Sequence, residues 1–143
     1  MKRINANAVI VHSSEGQVSA KSLGDLSKAS KENGIEVIYI LSVPRWSFHV
    51  PQTLFEMNEE ALWEKYQQKN IEDYRVQIKE HQREIQSLET GNIKVIPVAE
   101  DLCTPQCRIM SNDGTPLYYD AHHLTLTGAQ KIRPSLKPIF QSE

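Results

Sequence analysis

Apolar residues are arranged along this chain in three short continuous runs, separated by stretches in which they recur every three to four positions. Ala8-Val9-Ile10-Val11 is bounded by polar residues and predicts a buried strand. From about Ser19 to Asn33, Leu23, Leu26 and Ala29 fall at helical spacing, and Asn33-Gly34 is a helix-ending pair. Ile35-Glu36-Val37-Ile38-Tyr39-Ile40-Leu41 is β-branched and almost uninterrupted, as a strand covered on both faces should be, and Pro44 closes it. Strand, helix and strand together predict a βαβ unit.

The region from about Phe48 to Glu60, with Pro51, reads as loop or broken helix. Ile71, Tyr74, Ile78, His81, Ile85 and Leu88 then line one face of a helix that should end near Gly91. That stripe reads as core packing, with His81 at its edge. Ile93-Lys94-Val95-Ile96-Pro97-Val98 predicts a third strand whose proline marks a sheet edge or the strand's end. Residues from Glu100 to Pro116 read as loop, with a turn at Asn112-Asp113-Gly114. Ala129, Ile132, Leu136 and Ile139 space a terminal helix that Pro134 should kink or delay. The order predicts an α/β fold, a parallel sheet flanked by helices, in a single domain over residues 1–143.

Composition narrows the function. The 143 residues are enough for one hydrophobic core, and a formal net charge of −2 with both signs mixed provides no basic stripe for nucleic acid. No apolar run approaches the roughly 20 residues that cross a bilayer, and the first residues lack the apolar core of a secretory signal. The two cysteines, Cys103 and Cys107, stand four apart in LCTPQC. That spacing leaves open a small disulfide-closed loop, free thiols or half of a metal site. No metal or other cofactor is expected, because a zinc site would have to be completed by His122 and His123.

The densest chemistry is YYDAHHLTLTGA, residues 118–129. Asp120 stands three residues before His123, close enough for its carboxylate to hold one imidazole nitrogen while the other faces a reacting hydroxyl. In parallel sheets, sites collect in the loops that follow the carboxyl ends of strands, and this loop lies between the third strand and the last helix. The same spacing is also an ordinary helix-capping arrangement, with Thr125 or Thr127 as further caps. Residue chemistry alone leaves both readings standing.

The run from Cys103 to Ala129, with its paired cysteines, Asp-Gly turn, Leu-Tyr-Tyr-Asp and Asp120-x-x-His123-Leu124-Thr125-x-x-Gly128-Ala129, resembles the last catalytic block of SGNH (GDSL-type) hydrolases. More narrowly it resembles the SGNH domain fused to bacterial acyltransferase-3 membrane proteins, which O-acylate surface polysaccharides. NANAVIVHSSEG is similar to that family's middle strand and following loop, and GIEVIYILSVPRW to its next strand. The resemblance implies a three-layer sandwich, with His123 as general base and Asp120 as its partner, while His122 matches no catalytic position. It also implies a Cys103–Cys107 disulfide.

The family draws its serine nucleophile from a Gly-Asp-Ser block after the first strand, and this chain has none; Gly24-Asp25-Leu26-Ser27 sits inside a helical pattern. Aligning the strands places Met1 at the family's third block, so the sheet is expected to be incomplete at the N-terminus, with the first strand, nucleophile and glycine oxyanion donor upstream. His12-Ser13-Ser14-Glu15-Gly16 replaces the usual Gly-x-Asn-Asp, which leaves Ser13 or Ser14 as candidate oxyanion donors beside their reading as turn residues.

The expected function is thus part of an esterase or O-acyltransferase that moves an acyl group, acetyl by preference, between an ester donor and a carbohydrate acceptor. It would lie on the periplasmic face of the inner membrane, attached to a transmembrane acyltransferase part. Alone the chain is expected to be nearly inert, and its unpaired sheet edge offers a route to homo-oligomers. The alternative is a non-catalytic carbohydrate-binding or assembly module on the same scaffold, with Trp46 and Trp63 stacking on sugar rings.

Overall fold

The computed structural model describes residues 6–13, 18–88 and 91–140. The chain divides into two compact units, Met1–Ser42 with Gln77–Pro97, and Val43–Val76 with Val98–Glu143. The division falls within one helix, Ile71–Gln86.

The first unit holds a three-stranded parallel sheet in the order β1 (Ala8–His12), β2 (Glu36–Ile40), β3 (Ile93–Ile96). Register runs Ala8 to Glu36 through His12 to Ile40, and Val37 to Ile93 through Ile40 to Ile96. Val37, Ile38 and Tyr39 are all buried, so both faces of the central strand are covered, as its uninterrupted apolar run requires. The first strand forms where expected but is not buried: Ile10 is 47% exposed. Among the described residues β1 pairs only with β2, and an edge strand loses the neighbours that would bury it.

Helix α1 (Ala20–Glu32) joins β1 to β2. The Ser19 hydroxyl caps it by accepting from the Ser22 amide at 3.1 Å, and Gly34, at φ 69°, turns the chain out of it. Asn92, just before β3, fastens this helix: its Nδ2 donates to the carbonyls of Ser27 and Ile35, both at 3.1 Å, and the Ser27 hydroxyl donates to its Oδ1.

In α4 (Ile71–Gln86), Tyr74, Ile78 and Ile85 are buried, with Ile71, His81 and Leu88 half-buried on the same stripe. Asn70 starts the helix by accepting from the amides of Glu72 and Asp73, while Asp73 accepts from the Asn70 amide in return. The third strand stops at Ile96, so Pro97 marks its end.

The second unit is built from short helices and a folded loop. Residues 46–50 alternate buried and exposed, with Trp46, Phe48 and Val50 inward. The region expected as loop or broken helix contains two short helices, α2 (Val50–Glu56) and α3 (Glu59–Lys65), capped by His49 and Asn58. Pro51 is accommodated because it stands in the first turn of α2, where no intrahelical donor is needed. Trp46, Phe48, Trp63, Tyr66 and Tyr118 form an aromatic cluster, with ring centroids 4.5 to 6.3 Å apart between neighbours.

After a 3-10 turn at Ala99–Asp101, Cys103 and Cys107 are joined by a disulfide. That loop is tied to the start of α4 by the Cys107 amide donating to the Lys69 carbonyl at 2.8 Å and the Ile71 amide to the Pro105 carbonyl at 2.9 Å. The terminal helix expected around Ala129–Ile139 is broken into α5 (Leu126–Lys131) and α6 (Arg133–Phe140), with Pro134 in the first turn of the second. Of the residues that space it, Ile132, Leu136 and Ile139 are half-buried and Ala129 is exposed; Leu126 and Phe140, outside that spacing, are 78% and 74% exposed.

Candidate functional site

The loop carrying Asp120 and His123 is the tip of a narrow two-armed turn in the second unit. The Thr125 amide donates to the Leu117 carbonyl at 3.0 Å and the Tyr119 amide to the His123 carbonyl at 2.7 Å, so the chain enters and leaves antiparallel. Tyr118 and Leu124 sit opposite one another between those bonds. At the tip, the Trp46 amide donates to the Ala121 carbonyl at 2.8 Å and the Val50 amide to the Asp120 carbonyl at 3.3 Å. The segment 46–50 therefore braces the loop from one side. Below it, the Thr125 hydroxyl donates to the Pro116 carbonyl at 2.8 Å and accepts from the Gly128 amide at 3.1 Å, which starts α5.

Capping and orienting prove compatible in Asp120, because a carboxylate has two oxygens. Its Oδ1 accepts from the backbone amides of His122 and His123, each at 2.8 Å. Its Oδ2 meets His123 Nδ1 at 2.6 Å, slightly shorter than the usual charge-assisted N–H···O hydrogen bond. Burial acts to raise the Asp120 pKa, but the His123 ring, the two amides and the His123 charge outweigh it and hold the carboxyl well below the usual carboxylate range. The carboxylate is thus ionised throughout the neutral range. With Nδ1 bonded to Asp120, His123 Nε2 is left to exchange a proton, and the His123 side chain is 65% exposed. Chemically, an imidazole held this way can take up and return a proton at Nε2.

His122 lies beside the pair. Its ring centroid is 4.0 Å from that of His123, and its Nδ1 is 3.6 Å from Asp120 Oδ1. That nitrogen is buried without a hydrogen-bond partner among the described residues. Ligand atoms of Asp120, His122 and His123 all lie within 4.8 Å of one another. The short Asp120–His123 hydrogen bond, however, occupies the space between two of those atoms. Cys103 and Cys107 cannot join them as thiolates, since they are bonded to each other.

Ser13, the other sequence candidate, stands just past the carboxyl end of β1 in the first unit. Its Oγ lies 3.3 Å from Tyr39 Oη, which in turn lies 3.0 Å from His81 Nε2. Ser14 falls outside the described residues. The serine of Gly24-Asp25-Leu26-Ser27 is helical, fully buried and bonded to Asn92, so no nucleophile resides there.

Trp46 is 3% exposed inside the aromatic cluster, which removes it as a sugar-stacking surface. Trp46 Nε1 and Tyr118 Oη are buried without hydrogen-bond partners. Burial drives the Tyr118 phenol well above its ordinary range, and the nearby indole only partly opposes this. Sequence reasoning missed the part that Trp46 and Val50 play through their backbone amides; the alternation of apolar and polar residues in WSFHV was the signal that this segment packs rather than floats.

Taken together, the described residues make this an α/β protein with parallel strands, flanking helices and an Asp–His pair on a braced loop. The chain belongs to the family described as the SGNH domain (fused to AT3 domains), whose family model matches residues 3–138. No curated protein matches it significantly. Among solved structures it is similar to the periplasmic domain of the lipopolysaccharide acetyltransferase of Salmonella ser. Paratyphi A, with a TM-score of 0.61 and 18% identity. That match covers 94% of this chain and 57% of the other, so the chain spans a little over half the neighbour's length, and the likeness establishes the fold alone.

Proposed function

We propose that this chain is the carboxyl-terminal part of an SGNH-type esterase or O-acyltransferase domain and supplies its acid–base pair. The observation that carries the reading is the 2.6 Å contact between Asp120 Oδ2 and His123 Nδ1 in a member of this family. His123 Nε2 takes the proton of a serine hydroxyl contributed by polypeptide outside these residues, and the serine oxygen attacks the acyl carbonyl of an ester. The imidazolium, stabilised by Asp120, returns the proton to the departing alcohol. In the second half, His123 deprotonates the hydroxyl of a sugar, or water, which attacks the acyl-serine and releases the serine with its proton.

The acyl group is acetyl and the acceptor is bacterial surface polysaccharide. Support for this comes from the solved neighbour, a lipopolysaccharide acetyltransferase periplasmic domain. The family description, which names fusion to AT3 domains, supports a periplasmic position beside a transmembrane acyltransferase part. No helix among the described residues is long and apolar enough to cross a membrane. The test compares hydrolysis of a chromogenic acetate by this chain and by a version extended upstream, each with and without His123→Ala. Activity only in the extended protein with His123 intact is expected; equal activity with and without His123 would overturn the assignment.

A further inference from the structure

Asp120 is approached by two imidazoles, one at each oxygen. His123 Nδ1 meets Oδ2 in a short hydrogen bond, while His122 Nδ1 stands 3.6 Å from Oδ1, just beyond hydrogen-bond reach, and has no other partner among the described residues. A bare Nδ1 there would point a lone pair at a carboxylate from a buried position. An Nδ1 bearing its proton would instead present a donor to the same oxygen. Electrostatics therefore favours the Nδ1–H form of His122, even at a distance where the contact is a weak one.

The two rings also touch. Their centroids are 4.0 Å apart and their planes are tilted by 41°, so rotation of the His123 ring out of line with Asp120 would drive it into His122. The His122 side chain is 28% exposed against 65% for His123, so the more sheltered ring backs the more open one. Holding a base in line matters because its reaction depends on the direction of Nε2, and a misplacement of about 1 Å costs on the order of a hundredfold in rate.

From this geometry we infer that His122 is a positioning residue for the Asp120–His123 pair: its Nδ1–H faces Asp120 Oδ1 and its ring forms a wall that keeps the His123 imidazole aligned. It touches neither substrate nor reacting atoms in this assignment. The inference deepens the proposed function and rests on it for its catalytic meaning, but its structural half stands on the chain alone.

The test has two arms. The first uses the 143-residue chain and two-bond proton–nitrogen NMR correlations at pH 8, which report which nitrogen of each histidine carries a proton. His122 Nδ1 is expected to bear a proton, and the His123 Nδ1–H is expected to resonate far downfield because of its short bond to Asp120. A His122 ring protonated only at Nε2 overturns the inference.

In the same arm, His122→Ala should move the His123 Nδ1–H signal upfield or broaden it, whereas His122→Phe, which keeps a ring against His123, should largely retain it. Unchanged spectra in both variants overturn the wall. Should His122→Ala fail to fold, the protonation state of the native chain and the phenylalanine variant still decide.

The second arm uses the upstream-extended protein and chromogenic acetate. His122→Ala should lower kcat about tenfold at unchanged KM, with His122→Phe recovering most of the loss. A His122→Ala enzyme with native kcat overturns the role. Loss of the catalytic reading would show differently, as activity that survives His123→Ala while the NMR result stands.

Discussion

The α-carbon of Gly128 lies so close to the Leu117 carbonyl that a Cβ added there would stand 2.1 Å from that oxygen and 3.0 Å from its carbon. The same carbonyl accepts from the Thr125 amide, so α5 starts flush against the arm that leads to Asp120. The motif's glycine is therefore a spacer that lets α5 begin directly beneath the loop.

Substituting this glycine tests the arrangement by sign. In an exposed helix Gly→Ala stabilises by roughly 1 kcal/mol, because alanine has the higher helix propensity. At this position the methyl group meets backbone, which cannot swing aside as a side chain would. Gly128→Ala should destabilise the protein by about 1–3 kcal/mol, read as a lower midpoint in urea unfolding. A raised midpoint would show that the close approach does not exist.

The Thr125 hydroxyl both accepts from the Gly128 amide and donates to the Pro116 carbonyl. Thr125→Ala removes both bonds and should cost about 1–2 kcal/mol, whereas Thr125→Ser, which keeps the hydroxyl, should recover most of it. Urea unfolding of the two variants side by side measures the difference.

Acid stability should carry the signature of Asp120. Its carboxyl is held below the ordinary carboxylate range in the folded protein, against burial, by the His123 ring and two amides. A depressed folded value means that the stabilisation is complete above the unfolded pKa, near 3.9, and is lost as pH falls from there toward the folded value. Asp113, held down to about 2 by hydrogen bonds from the Ser111 hydroxyl and the Thr115 amide, acts in the same direction at an exposed turn. Asp120→Asn should therefore make unfolding free energy less steep between about pH 4 and pH 2, with the native slope retained above that window. Equal slopes in that window would remove Asp120 as an acid-sensitive group.

The Cys103–Cys107 bond closes a very small ring of chain. In the chain-entropy account a loop of this size contributes only about 2 kcal/mol, much less than one closing most of a domain. Both cysteines are buried, and the loop is also held by backbone bonds to Lys69 and Ile71. The double variant Cys103→Ser with Cys107→Ser should fold, with a stability loss of about that size in urea. Failure to fold would give the disulfide a larger structural part than its loop length implies.

Legibility in the sequence tracked how local each cause was. The buried strand 36–40 and the stripe of Tyr74, Ile78 and Ile85 formed as their periodicity required, since a strand or helix face is written in residues that follow one another. Asn33-Gly34 ended its helix because a positive φ is a property of one residue. By contrast, Ile10 was expected to be buried and is half exposed, because burial depends on which strands lie beside it. Ala129, Ile132, Leu136 and Ile139 space one terminal helix in the sequence, yet the chain breaks it into α5 and α6 and leaves Ala129 facing outward. Helical spacing places residues on one side of a helix without saying what covers that side.

What the sequence by itself determined was the alternation of strand and helix, the αβ character and the three-residue step from Asp120 to His123, all of them consequences of nearest-neighbour chemistry. Only the tertiary structure decided that Asp120 divides its two oxygens between backbone and imidazole, and that His122 backs His123. It alone placed the amides of Trp46 and Val50 against the loop. These relations join residues distant in the chain or depend on which way a ring turns, and both are settled by packing and by the need of buried polar groups for partners.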